Sequence, residues 1–257
     1  MKQQIIKSGN SEIISGSSKE EMATRSEFLE LYKNSPIPEE EVLQNLGLFL
    51  KRQHLSRILM LNDMYKKIVN VHGIICEFGV RWGNSLALYE SFRGMYEPYN
   101  YNRKIVGFDT FEGFPSVHEK DGNSSIMKKG AYATTKGYEN YLEEILTHHE
   151  LESPISHKKK FELVKGDATV TIKQYLKDHP ETIIAFAYFD FDIYEPTKVC
   201  LEAIKPHLTK GAIIGFDEIN FPDFPGETLA FDEVLGINNY RIHRDVNNPI
   251  PSYIIYE

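Results

Sequence analysis

The sequence predicts an α/β fold: a mostly parallel sheet with helices on both faces, closed by a C-terminal antiparallel hairpin. Two observations predict it. Five short apolar runs, at 74–79, 104–109, 161–165, 183–190 and 212–217, alternate with segments of helical periodicity. Such alternation implies parallel strands covered on both faces. The last stretches, "NNYRIHRD" and "PSYIIYE", flank a Pro-containing turn and read as the closing hairpin.

The elements follow in chain order. Residues 1–20 are polar and rich in Ser, Lys and Glu, which predicts a mobile tail. Residues 21–70 form an expected N-terminal helical segment serving as lid or oligomerisation element. Within it, apolar residues recur at helical spacing from Val42 through Ile68, enough for one or two amphipathic helices. Pro38 followed by three glutamates suits a helix start. Residues 71–257 carry the α/β unit, with helices expected over 85–92, 169–177 and 195–207. The connection at 111–160 is turn-rich and polar before a helical "GYENYLEEILTHHE". A connection of that length at a strand's carboxyl end predicts a lid over a site.

A chain of 257 residues suits one large domain, or one with an accessory piece. Its 41% hydrophobic and 26% charged content is that of a soluble globular protein. A net charge of −8 argues against nucleic acid or an anionic membrane as partner and tolerates a cationic cofactor or a metal. Cys76 and Cys200 stand apart, without metal-type spacing or a disulfide framework. No signal-peptide pattern or membrane-length apolar run occurs, so a cytoplasmic location is expected. No G-x-S-x-G elbow or Walker loop is present. His118, His148 and His149 lack paired metal spacing and read as surface residues, with His118 in the lid.

The first strand runs into "CEFGVRWGNSLALYE", placing Glu77 and Gly79 at its end and Gly83 at a helix start. Ligands of open α/β sheets bind outside the carboxyl ends of the strands. The spacing departs from the dinucleotide fingerprint, and Glu77 would repel a pyrophosphate but welcome a cation. S-adenosylmethionine, with its sulfonium and ammonium, fits, and its carboxylate can use the backbone N–H groups of Asn84 and Ser85. Asp109 ends the second strand, where an acid can accept both ribose hydroxyls. Asp167, in "KGDA" after the third, can receive the adenine amino group. Each acid taken singly also reads as a helix cap or a loop carboxylate.

The fourth strand ends in Asp190-Phe191-Asp192 and the fifth in "GFDEIN", bringing Asp217 and Glu218 to the same rim. Residues two apart on a strand lie roughly 6.6 Å apart, too far to grip one ion symmetrically. One acid is therefore expected on a metal and the other on substrate. An all-oxygen set selects a hard cation such as Mg²⁺, Mn²⁺ or Ca²⁺ rather than zinc. Asp192 also stands close before a helix start and reads as a possible cap.

With "EFGVRWGNS", "FDTFEGFP", "GDATVT", "FDFDIYEPT" and "GFDEINFPDFPGETLAF" assembled, the chain resembles the macrocin O-methyltransferase family (TylF/MycF type) over about residues 70–235. These are metal- and S-adenosylmethionine-dependent sugar O-methyltransferases of antibiotic and polysaccharide pathways. The resemblance implies a Rossmann-like class I methyltransferase fold. It implies Mg²⁺ on Asp190, Asp217 and Glu218, with Asp192 as general base. It also implies a homo-oligomer built through the N-terminal segment. The chain departs from the family in Glu218, where an aspartate is common, and in the order Arg81-Trp82.

Three rival readings remain at this stage. A catechol-type O-methyltransferase would use similar acids on an aromatic diol. A nucleotide-sugar glycosyltransferase would use Asp190-x-Asp192 as its metal motif but leaves "EFGVRWGNS" unexplained. A non-catalytic binding protein would have no need of a base.

Overall fold

The computed structural model describes residues 4–8 and 11–257. Within the polar tail, β1 (Gln4–Ser8) pairs antiparallel with β2 (Ser11–Ser15), while residues 1–3, 9 and 10, part of the expected mobile tail, lie outside the described residues. Helix α1 (Lys19–Lys33) begins with a capping box in which Ser18 and Glu21 satisfy each other's backbone N–H groups. It buries no residue, so it carries no core-facing stripe by which the sequence could announce it. Pro38 caps α2 (Glu39–Val42), as its position before three acids predicts, and a 3₁₀ segment over Leu43–Phe49 leads to α3 (Arg52–Ile68).

Strand β3 (Ile74–Phe78) opens the main unit. It is followed by α4 (Asn84–Tyr96), β4 (Ile105–Asp109), α5 (Tyr138–Glu152), β5 (Phe161–Lys165), α6 (Ala168–Asp178) and β6 (Ile184–Phe189). Then come α7 (Tyr194–Ile204), β7 (Leu208–Phe216), α8 (Gly226–Val234), β8 (His243–Arg244) and β9 (Ser252–Ile255). The seven-stranded sheet has the order β5-β4-β3-β6-β7-β9-β8. Strands β3 to β7 are parallel, β9 is antiparallel to β7, and β8 is antiparallel to β9. The expected sheet and closing hairpin are those observed. The order reverses at β3, which lies between β4 and β6, so the crevice for a ligand opens above its carboxyl end.

Two apolar layers hold the sheet. On one face Met60, Leu61, Met64, Tyr65 and Ile68 of α3 pack with Leu86, Tyr89, Leu142, Leu146, Phe186 and Tyr188. Helix α3 therefore belongs to the core of the main unit, although the sequence boundary near residue 70 sets it apart. On the other face Cys76, Phe78, Phe108, Phe189 and Phe216 pack with Ile172, Cys200, Leu201 and Phe231. Both cysteines are free and buried.

One row of side chains fixes the height of the site. Phe78 is in register with Phe108 and Phe189, and Phe189 with Phe216. Their rings stack at centroid distances of 5.1, 4.6 and 5.4 Å across the four strands. Cross-strand aromatic pairs pin register. The residues that follow the four phenylalanines, Gly79, Asp109, Asp190 and Asp217, are thereby delivered to one level of the rim.

Candidate active site

A cavity of about 430 Å³ opens above that row. It is lined by every residue of the expected cofactor set (Glu77, Gly79, Asn84, Ser85, Asp109, Asp167) except Gly83, and by all four acids Asp190, Asp192, Asp217 and Glu218. Gly83 lies beside it as the N-cap of α4, at φ +72°, where a Cβ would stand 2.3 Å from the Leu142 side chain. Gly79 has φ +96°, and a Cβ there would fall 2.0 Å from the Asp190 carbonyl oxygen. Only glycine lets β3 approach β6 this closely at its end.

Glu77 is buried, with Oε2 unpartnered; burial, then the charge of Asp190, pushes its carboxyl well above the ordinary range. A cationic ligand would relieve both effects. Asp109 spends much of its capacity on the loop itself. Its Oδ2 accepts the N–H groups of Val80 and Arg81, both at 2.7 Å, and its Oδ1 that of Phe111 at 2.6 Å. Asp167 is the N-cap of α6, its Oδ1 accepting from Thr169 N at 2.9 Å and Thr169 Oγ1 at 2.7 Å. Both acids therefore shape loops around the cavity that they also line.

The four rim acids divide into two groups. One oxygen each from Asp190, Asp192 and Glu218 lie within 4.8 Å of one another. The strand-based spacing of Asp190 and Asp192 does not apply, because β6 ends at Phe189 and Asp192 adopts a left-handed backbone, φ +62°. That turn brings its carboxylate back toward Asp190. Nor does Asp192 cap α7: Ile193 is the cap residue, and Asp121 Oδ1 accepts the Tyr194 N–H at 2.6 Å. Burial, and then the charge of Asp217, raises the Asp190 carboxyl well above its ordinary value. Burial also lifts Asp192 to about 7, and burial followed by the Asp192 charge raises Glu218. Glu218 Oε2 is buried without a hydrogen-bond partner. Three crowded carboxylates with an orphaned oxygen fit a hard divalent cation, which takes oxygen ligands and compensates their charge.

Asp217 lines the same cavity and shares a basic partner with Asp190. Arg57 of α3 donates from Nη1 to Asp217 Oδ1 at 2.6 Å and from Nη2 to Asp190 Oδ2 at 2.8 Å. The Tyr188 hydroxyl donates to the same Asp217 oxygen, and the Arg57 guanidinium lies 5.6 Å from the Tyr188 ring centre. Burial works against the Arg57 charge, but Tyr188, Asp217 and Asp190 outweigh it and hold the guanidinium above its ordinary value. The sequence reading missed Arg57, yet a signal exists. It precedes Met60, Leu61, Met64 and Ile68 at helical spacing, a charge in register with the apolar stripe. Tyr188 stands two residues before Asp190 at the end of β6, and strand alternation sends both toward the same face.

The segment at 111–137 contributes to the wall of the cavity. Phe114 and Ala131 pack with Ile126, Ile193 and Phe224, and Gly113, Phe114, Pro115 and Tyr132 line the opening. Arg81 stands beneath it, its guanidinium 5.0 Å from the Tyr132 ring centre. The second half of the connection is α5, which packs on α4. His118 accepts the Lys120 N–H through Nδ1 and does not line the cavity.

The crystal structure of CalS11, calicheamicin methyltransferase, is 44% identical to this chain at a TM-score of 0.92, covering 94% of this chain and 95% of that one. The apo structure of CalS11, described as a TDP-rhamnose 3'-O-methyltransferase in calicheamicin biosynthesis, is 41% identical at a TM-score of 0.83, covering 94% and 96%. The O-methyltransferase NovP shares the fold at 18% identity and a TM-score of 0.59, over 78% of this chain and 79% of that one. No protein-family model and no curated protein matches the chain.

Proposed function

The chain belongs to the sugar O-methyltransferase family that includes the calicheamicin enzyme CalS11, and from that premise we propose that it methylates a hydroxyl of a nucleotide-linked deoxysugar or a related glycoside in natural-product or polysaccharide biosynthesis. It has the Rossmann-like methyltransferase fold and is an S-adenosylmethionine-dependent O-methyltransferase. The observation that carries the sugar reading is one cavity in which a cofactor-type glycine loop meets a cation-competent acid cluster, in a chain 44% identical to CalS11. The narrower macrocin-type placement rests on the quoted motifs and belongs to the same proposal.

Glu77 would compensate the cofactor's ammonium group, and the first N–H groups of α4 at Asn84 and Ser85 would hold its carboxylate. Gly79 and Gly83 shape the loop. The remaining lone pairs of Asp109 and Asp167 would serve ribose and adenine. Asp190, Asp192 and Glu218 would hold a divalent cation, Mg²⁺ by resemblance, which when bound lowers the pKa of a hydroxyl. Asp217, also expected as a ligand, shares Arg57 with Asp190 and stays in the proposed ligand set beside these three. Asp192, at the same cluster, would accept the acceptor's proton. As the hydroxyl oxygen bonds the methyl carbon, the carbon–sulfur bond breaks and its electron pair stays on sulfur as the neutral thioether. Alignment and water exclusion do the rest, with residues 111–137 as the lid.

The N-terminal segment exposes Leu31, Leu43 and Leu48 by more than half, and a homo-oligomer built on it is part of the proposal. Light scattering that finds only monomer would remove it. No helix among the described residues is long and apolar enough to cross a membrane.

The test is a panel of nucleotide-linked deoxysugars, glycosides and catechols with labelled S-adenosylmethionine, with and without chelator. Label on a sugar hydroxyl supports the reading; label on catechols alone would replace it. Asp192→Asn should bind S-adenosylhomocysteine normally and lose transfer, whereas near-normal turnover would remove Asp192 as base.

A further inference from the structure

A fifth acid, Glu227, sits behind the cluster, fully buried and outside the cavity lining. It lies in the first turn of α8. The preceding Gly226 lets that turn press against the start of α7: a Cβ there would lie 2.5 Å from Tyr194 N and 2.8 Å from Asp121 Oδ1. From this position Glu227 reaches two loops at once. Its Oε1 accepts the N–H groups of Phe191 at 3.1 Å and Asp192 at 3.4 Å, and its Oε2 accepts that of Glu218 at 3.1 Å.

We infer that Glu227 is a positioning residue that fixes Asp192 and Glu218 relative to each other, fastening the turn after β6 to the turn after β7. The inference deepens the proposed function and rests on it for the roles of those two acids. Three arguments support it. Backbone N–H groups drawn away from water need acceptors, and here three part-buried ones on two separate loops share one side chain. Asp192 holds a left-handed conformation that a non-glycine residue adopts only when its surroundings impose it. Glu227 is itself fully buried and outside the cavity lining, so its oxygens serve these backbone groups rather than a ligand. A single-acceptor side chain would serve one loop and release the other.

Glu227→Gln keeps the volume and one acceptor oxygen, but turns an amide donor toward one of the loops. The variant and the wild type are compared by hydrogen exchange at Phe191, Asp192 and Glu218, by S-adenosylhomocysteine and Mn²⁺ calorimetry, and by steady-state kinetics. Expected are faster exchange on one loop, weaker Mn²⁺ binding, unchanged S-adenosylhomocysteine affinity, and a kcat lowered about tenfold with KM for S-adenosylmethionine held, a factor in line with losing one hydrogen bond. Unchanged exchange, or unchanged kcat and Mn²⁺ affinity, would overturn the inference. So would equal losses in cofactor and Mn²⁺ affinity, which mark a merely structural role. If the variant does not fold, the wild type decides alone: fast exchange at those three amides overturns the fastening. A wild type that methylates no sugar defeats the functional reading instead, and the exchange pattern still judges the fastening.

Discussion

Replacing Arg57 by methionine removes a charge and keeps most of the aliphatic stem, so packing against the α3 stripe is little disturbed. The guanidinium makes two short contacts, at 2.8 Å to Asp190 and 2.6 Å to Asp217, and the side chains are 26%, 29% and 16% exposed in the order Arg57, Asp190, Asp217. Removing one partner of a fully buried pair costs about 3–5 kcal/mol; with roughly a quarter of this site open to water, about 2–4 kcal/mol is expected. For a chain of this size that corresponds to a fall in Tm of roughly 4–16 °C. The assay is thermal and urea unfolding at neutral pH in chelator, repeated with millimolar Mg²⁺. The divalent ion should recover part of the loss, since the variant leaves the acids without their internal cation, and Mn²⁺ should bind the variant more tightly than the wild type. A variant as stable as wild type in chelator would refute the bridge as an energetic contact. Weaker Mn²⁺ binding would show that Arg57 organises the acids rather than competing for them.

Other perturbations probe the scaffold. Gly79→Ala places a Cβ 2.0 Å from the Asp190 carbonyl oxygen, so β3 and β6 must part at the rim; calorimetry should show S-adenosylhomocysteine affinity lowered about tenfold or more. Wild-type affinity would contradict the close approach. Phe189→Ala empties the middle of the stacked row and should cost about 3–5 kcal/mol in urea unfolding. A loss below 1 kcal/mol would mean the rings pack independently. Glu233 is held down to about 2, from 4.5, first by its bond to Lys198, then by Tyr194 and Lys120. Its folded pKa is depressed, so its contribution is present above pH 4.5 and is lost as the pH falls toward 2. The stability gap between wild type and Glu233→Gln should therefore close over that interval, and a gap independent of pH would deny the ionic contacts.

Much of this site was legible in sequence because it is built from local repeats. Each of "EFG", "GFD", "YFD" and a second "GFD" ends an apolar run, and strand periodicity alone places the residue after each phenylalanine at a carboxyl end. Parallel connection then puts those ends on one rim, whatever the lateral order of strands. Gly79 and Gly83 were legible for the same reason, as turn residues between a strand and a helix. Helix α1 was not, because it buries nothing and its polar sequence resembles a tail.

By itself, then, the sequence determined the α/β alternation, the rim on which the acids stand, and a cation-friendly glycine loop. Tertiary structure decided which charges meet. Asp217 finds Arg57 from 160 residues away, and Asp190 finds the same guanidinium from 133. Asp192 joins Asp190 and Glu218 only because its backbone turns left-handed, and Glu227 spans two loops only because α8 packs against the start of α7. Periodicity is a property of neighbours along the chain. The pairing of buried charges depends on strand order, helix docking and backbone turns, and those exist only once the core has closed.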